Sequence, residues 1–148
     1  MTIDTSGKWW KGSEPDDLRE YPLAFGEANS LPIDEFHLCR CPCGSQIFGL
    51  HVEQDEGVAR RTCIQCQSKH WIVDSAENYE KGLRLKKFKC VTCKSNNTNV
   101  AVGFSFTADN EAIKWVFVGN RCADCGVLGS MVDWKIGYMP SLQRLGKA

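Results

Sequence analysis

Nine cysteines in a chain of 148 residues, set in four tight groups, decide most of what this sequence can fold into. They stand at 39, 41 and 43, at 63 and 66, at 90 and 93, and at 122 and 125. Three groups are C-x-x-C turns, written C-I-Q-C, C-V-T-C and C-A-D-C, and the first is the run C-R-C-P-C-G. Thiolates on one tight turn point at a common centre about 2.3 Å away, and two such turns complete a tetrahedral shell of four sulfurs. Disulfides are the rival reading of a short cysteine-dense chain. The odd total, and a start, MTIDTSGKWWKG, that lacks the apolar run of an export signal, favour metal and a cytoplasmic compartment.

An internal repeat decides which groups share an ion. Aligning Cys63 and Cys66 with Cys122 and Cys125 brings Val73 onto Val132, Asp74 onto Asp133, Tyr79 onto Tyr138 and Ile72 opposite Met131. Each half then reads as entry turn, β-hairpin, exit turn and return strand, so each ion stays inside its own repeat. Site one is Cys41, Cys43, Cys63 and Cys66, and site two is Cys90, Cys93, Cys122 and Cys125. The implied cofactors are two Zn2+, with iron as the alternative that a thiolate tetrahedron also accepts.

The first repeat, residues 36–79, carries C-P-C-G, nineteen intervening residues, then C-I-Q-C followed by the apolar W-I-V-D. This pattern resembles the CSL-type zinc finger of the small diphthamide-biosynthesis protein family. The resemblance implies one zinc or iron ion on a rubredoxin-like sheet, held by Cys41, Cys43, Cys63 and Cys66, with Cys39 left out. Gln65-Cys66-Gln67 stands where that family carries Cys-Ser-Leu. The second repeat, with twenty-eight residues between its C-x-x-C turns, looks like a generic zinc ribbon.

Cys39 lies two residues before Cys41 on an extended run, which puts it on the same side of the strand and makes it an alternative ligand. Its plainer role is a small buried hydrophobe, and its sharper one a redox-sensing thiol. Gly44 and Gly126 each follow a ligand and suit a turn that needs positive φ. Gln67 and Lys94 hold the same place in the other two turns, which are therefore expected to be more strained or differently shaped.

The clearest strands are residues 99–106, with Val100, Val102, Phe104 and Phe106 on one side, and the answering run to Val118, where Ile113, Trp115 and Phe117 alternate. A shorter hairpin, 47–52 with 58–62, turns at 55–57, and return strands at 71–73 and 130–136 add a third member to each sheet. The fold class is therefore mainly β, small and metal-stabilised: two tandem zinc ribbons, each a three-stranded antiparallel sheet. A short helical or irregular arm precedes them. The arm is 1–35, ribbon one 36–80, a basic linker 81–89, and ribbon two with its tail 90–148. Ser13-Glu14-Pro15-Asp16 predicts a short capped helix to about Tyr21, an irregular stretch follows, and a short helix after Pro140 is weakly signalled.

The formal net charge is zero, but residues 1–35 carry eight acids against three basic residues and the remainder fifteen basic against ten acidic. A neutral total argues against a protein that coats DNA. Lys81, Arg84, Lys86, Lys87, Lys89 and Lys94 fall within fourteen residues, with Phe88 among them as a stacking candidate. A closed four-thiolate shell leaves no position for water, and His37, His51 and His70 are dispersed, so the sequence predicts no enzyme. It predicts a zinc-binding module for a protein partner, anchored by Trp9, Trp10, Trp71, Trp115 or Trp134, most of which read as core, with the lysine-flanked Trp9-Trp10 pair as the exposed exception. The alternatives are nucleic-acid binding through the basic run and a rubredoxin-like iron carrier. No stretch is long and apolar enough to span a membrane.

Overall fold

The computed structural model describes residues 3–4, 10–12, 18, 34–53, 58–73, 75, 84–107 and 112–135. The expected helix at 13–21 apart from Leu18, the irregular stretch at 22–33, the hairpin tips at 55–57 and 108–111, Lys81 and the helix after Pro140 lie outside them. Among the described residues ten strands follow in order: β1 (Ile3–Asp4), β2 (Lys11–Gly12), β3 (Glu35–Leu38), β4 (Phe48–Glu53), β5 (Val58–Cys63), β6 (Lys69–Trp71), β7 (Lys86–Lys87), β8 (Thr98–Phe106), β9 (Ile113–Cys122) and β10 (Leu128–Lys135). The fold is mainly β and antiparallel, built around two clusters of four cysteines.

Each half contains a hairpin and a return strand as its alternating residues predict, although the first return strand is Lys69–Trp71 and not 71–73. In β4 the side chains of Phe48, Leu50 and Val52 are buried and those between them are half-exposed, the pattern of a strand with one face on a core. β5 pairs with β4 and β6 with β5, while β9 pairs with β8 and β10 with β9. The repeat extends to the irregularities. β6 stops at Trp71, and Val73 two residues later has φ +58°, while the matching stretch of β10 has a shifted register between Ser130 and Val132.

The three-stranded sheets are not separate, however. They fuse into one sheet in the order β10-β9-β8-β4-β5-β6, joined where Phe48 pairs with Thr98. β3, at the start of the first repeat, lies against the second repeat's β8, with Phe36 opposite Gly103 and Leu38 opposite Ala101. The Asn99 amide donates to the Gln46 carbonyl at 2.8 Å, tying the halves again. A single apolar core runs beneath the seam, with Phe48, Leu50, Val52, Ile72, Phe88, Val100, Val102, Phe104, Val116, Val118 and Trp134 among its members.

Two sequence expectations are corrected here. A register shift between Ser105 and Phe106 breaks the simple alternation of the second hairpin, so the residues that oppose Val102 and Phe104 are Val118 and Val116. Trp115 and Phe117 consequently lie on the other face. Phe88 is buried in the shared core, so it is not a surface for stacking bases. The run around it is divided as well: Lys86 and Lys87 form β7 against β4, and successive strand residues point to opposite faces.

β8 is buried on both faces over nearly its whole length. Its second face carries Ala101, on which Leu18, Leu128, Trp10, Phe36 and Leu38 pack. Described parts of the first 35 residues therefore form a second layer over the second half. Leu128 N–H donates to the Trp10 carbonyl at 2.7 Å, and Arg121 Nε donates to the Gly12 carbonyl at 2.7 Å. Trp10 is half-buried in that layer and does not stand free as an anchor.

Candidate metal centres

Both centres grow from one turn geometry, repeated. In the 63–66, 90–93 and 122–125 turns the first cysteine's N–H donates to the carbonyl five residues on, at Ser68, Ser95 and Val127, over 2.8 to 2.9 Å. Its carbonyl accepts from the residue four on, at Gln67, Lys94 and Gly126, over 2.9 to 3.1 Å. The shorter C-P-C-G turn closes with Gly44 N–H on the Cys41 carbonyl at 2.8 Å. Closing such a loop requires left-handed backbone, and the φ values are +66° at Gln67, +67° at Lys94, +100° at Gly44 and +83° at Gly126. The strain expected at Gln67 and Lys94 is thus present. Each side chain also reaches back within its turn: Gln67 Nε2 donates to the Ile64 carbonyl at 3.1 Å and Lys94 Nζ to the Val91 carbonyl at 3.3 Å.

The two glycines differ in why they are needed. A Cβ on Gly44 would meet open space, whereas one on Gly126 would stand 2.5 Å from the Gly12 carbonyl oxygen. Gly44→Ala is therefore expected to cost about 1 kcal/mol, the left-handed penalty alone. Gly126→Ala should cost roughly 2 to 3 kcal/mol, because a backbone clash is added. Denaturant midpoints of the two variants check the order, and equal midpoints would contradict it.

The turns bring the sulfurs together in fours. Cys41 Sγ lies 3.5 Å from Cys66 Sγ and Cys43 Sγ 3.5 Å from Cys63 Sγ. In the second cluster Cys90 Sγ lies 3.4 Å from Cys125 Sγ and Cys93 Sγ 3.5 Å from Cys122 Sγ. Within each four all sulfurs lie within 4.8 Å of one another. Four sulfurs at about 2.3 Å from one ion would be separated by ~3.8 Å, close to these spacings. A disulfide would need about 2.05 Å, and all nine cysteines are free. The groupings fall within the halves and not across them.

The thiolate is what binds metal, and each cluster divides its thiols. Cys63 and Cys90 are lowered, while Cys41, in spite of the Cys43 N–H, and the buried Cys122 are pushed up to about 12 by burial and neighbouring thiols. The Cys66 N–H points at Cys63 Sγ, 3.5 Å away, and with the Gln65 N–H it lowers the Cys63 thiol to about 6 against the cost of burial. Burial pushes Cys90 upward, but the Cys93 N–H and the hydroxyl and N–H of Thr92 bring it down to about 6. Hydroxyls complete the ring. Ser68 Oγ lies 3.2 Å from Cys66 Sγ, and Thr92 Oγ1 lies 3.2 Å from Cys125 Sγ and 3.4 Å from Cys90 Sγ. Ser95 donates to the Asp124 carboxylate, tying the exit of one turn to the other turn of the same centre.

The two centres sit at one end of the common sheet. Cys63 pairs with Phe48, Phe48 with Thr98 and Thr98 with Cys122, so the first cysteines of both C-terminal turns occupy one row across four strands. Three strand spacings put their backbones about 14 Å apart.

Cys39 belongs to neither cluster. It is 3% exposed in the core, and its N–H donates to the Val100 carbonyl at 2.8 Å. Burial pushes its thiol up to about 12 in spite of the neighbouring Arg61 guanidinium, the opposite of what a redox sensor needs, and its place outside both four-sulfur groups sets it apart from the ligands. Arg61 is itself buried, its Cζ 4.8 Å from the centre of the Phe48 ring. Of the basic run, Arg84, Lys86, Lys87, Lys89 and Lys94 are exposed, and Lys87 shares a concavity with basic groups from other strands.

Those other groups are Arg60 and Lys69, which carry no motif, and His51, one of the three histidines that the sequence leaves dispersed. The register of β4, β5 and β6 alone assembles them. Among the described residues no helix is long and apolar enough to cross a membrane. Set against known protein families, curated proteins and solved structures, the chain matches none of them.

Proposed function

We propose that this chain is a non-enzymatic zinc protein of the cytoplasm, in which two structural ions stiffen one sheet that docks a protein partner. The observation that carries this reading is the pair of four-sulfur clusters. Four thiolates fill a tetrahedral shell, so an ion held there has no open position for water or substrate. Structural zinc adds on the order of 10 to 16 kcal/mol of folding free energy, which suits halves with little core of their own.

The docking part of the reading rests on two apolar side chains left in solvent at the tips of metal turns. Ile64 is 41% exposed and Val91 53%, and each directly follows the first cysteine of its turn. A rigid tip loses little conformational entropy on binding, which makes it a better anchor than a side chain on a free loop. The tryptophans anticipated for this task are less available: Trp134 is buried, and Trp10 is packed against the second half.

Elemental analysis of protein purified from its own host tests the metal. Two zinc ions per chain and no visible absorption are expected; a coloured, reversibly reducible iron centre would establish the carrier reading instead. Ile64→Asp with Val91→Asp should abolish co-purification of the partner while both ions are retained. Capture unchanged by that pair of substitutions would refute the docking role of the tips.

A further inference from the structure

One concavity of the described surface has a chemistry that neither the metal centres nor the apolar tips explain. It has a volume of about 390 Å3 and lies over the seam between the two halves. Cys63, Ile64 and Gln67 border it from the first centre, and Asn96 and Asn97 from the exit of a turn in the second. Its floor is the outer face of the sheet. Strand register sets Lys87 opposite His51, His51 opposite Arg60 and Arg60 opposite Trp71, one row across β7, β4, β5 and β6. The next row is Gly49, Thr62 and Lys69. Gly49 presents open space where a side chain would stand, which keeps the floor low.

Three cations and an imidazole thus line the depression, and no acidic residue does. Glu53, on the same face of β4, stands beyond the row and outside the lining. Lys87 and Arg60 flank His51 in this row with no carboxylate between them, a positive field that an anion would relieve. Two buried polar atoms also lack hydrogen-bond partners among the described residues, His51 Nδ1 and Arg60 Nε. The Arg60 guanidinium is held over the Trp71 ring, its Cζ 5.3 Å from the centre, which restricts its orientation. Burial first, and then the charges of Arg60, Lys87 and Lys69, hold His51 below the ordinary histidine value, the response of an imidazole in a positive field.

We propose that this depression binds the phosphate of a nucleotide unit, with Lys87, Lys69, His51 and Arg60 around the anion and Thr62, Asn96 and Asn97 able to hydrogen-bond the attached sugar or base. The site goes beyond the protein-docking reading, and it needs both centres because residues beside each form its walls. Phosphate fits better than carboxylate: several oxygens can be shared among four basic groups on three sides, whereas a carboxylate has two. The volume suits one nucleotide, either free or as one unit of a single strand passing over the sheet.

The test uses the full zinc-loaded chain at low salt, with uridine monophosphate, a ten-residue single-stranded RNA, inorganic phosphate and a polyglutamate peptide as probes. Lys69→Gln with Lys87→Gln should weaken binding of the nucleotide-bearing probes by about tenfold or more and lower the salt slope for the RNA by about 1.4. Lys86→Gln with Lys94→Gln removes the same charge outside the depression and should change affinity less than about twofold. If the RNA binds far more tightly than the monophosphate, the source is a strand; comparable affinities identify the free nucleotide.

Equal losses in both double variants would overturn the proposal, as would tighter binding of polyglutamate or no binding of either nucleotide-bearing probe. Zinc content is measured on every variant. A missing site with two ions in place then contradicts this inference and leaves the structural metal reading standing.

Discussion

Cys63→Ser is expected to unfold both halves of the chain, not the first alone. Removing one thiolate from the first cluster forfeits most of a contribution on the order of 10 to 16 kcal/mol, as large as the whole stability of a typical domain at about 5 to 15 kcal/mol. Two independent ribbons would confine that loss to residues 36–80. The sheet does not allow this, because β3 and β4 pair with β8 and one core underlies both repeats. Without β4, β5 and β6, the core-facing side chains of β8 would lose the cover of Phe48, Leu50 and Val52. Native mass spectrometry of the variant should therefore show weakened retention of the second ion too, and circular dichroism should lose the signal of the entire sheet. A variant that keeps one ion and half of the β signal would show the repeats to be autonomous.

Phe48→Ala should cost about 3 to 5 kcal/mol, the range for truncating a fully buried phenylalanine. The position is the crossing point of the molecule. Phe48 opposes Cys63 on one side and Thr98 on the other, and the buried Arg61 guanidinium rests on its ring. Truncation leaves a cavity at the seam and takes the aromatic face from a buried cation, so both effects have the same sign. Metal affinity should fall at both centres. Val91→Ala, at an exposed tip, should stay within about 0.5 kcal/mol of the parent in a urea titration. A cost at Phe48 below 1 kcal/mol, or one felt at the first centre alone, would mean that the seam carries little of the stability.

The parts of this architecture legible in the sequence are those fixed by local chemistry. C-x-x-C spacing can serve one ion, and left-handed backbone is demanded one residue after the ligand pair, so the positive φ at Gln67 and Lys94 was foreseeable along with that at Gly44 and Gly126. Alternation located both hairpins within a residue or so at most ends. Alternation does not say which strands lie side by side, however, and pairing across the halves was missed for that reason. One clue was present in N-V-A-V-G-F-S-F, where Ala101, Gly103 and Ser105 alternate with bulky residues. Small residues on the second face leave room for another layer, and Phe36 and Leu38 occupy it beside Ala101. The basic depression had no comparable signal. Lys87 stands 27 residues beyond Arg60, and only the β4 register between them brings the two into one row.

The most direct test of the central claim, that two ions hold a single cooperative sheet, is a native mass spectrum recorded at the midpoint of a chelator titration. Chains carrying two ions in a compact charge distribution, together with metal-free chains in an extended one, are the expected populations, with one-ion chains a small minority. A dominant one-ion, compact species at the midpoint would contradict it.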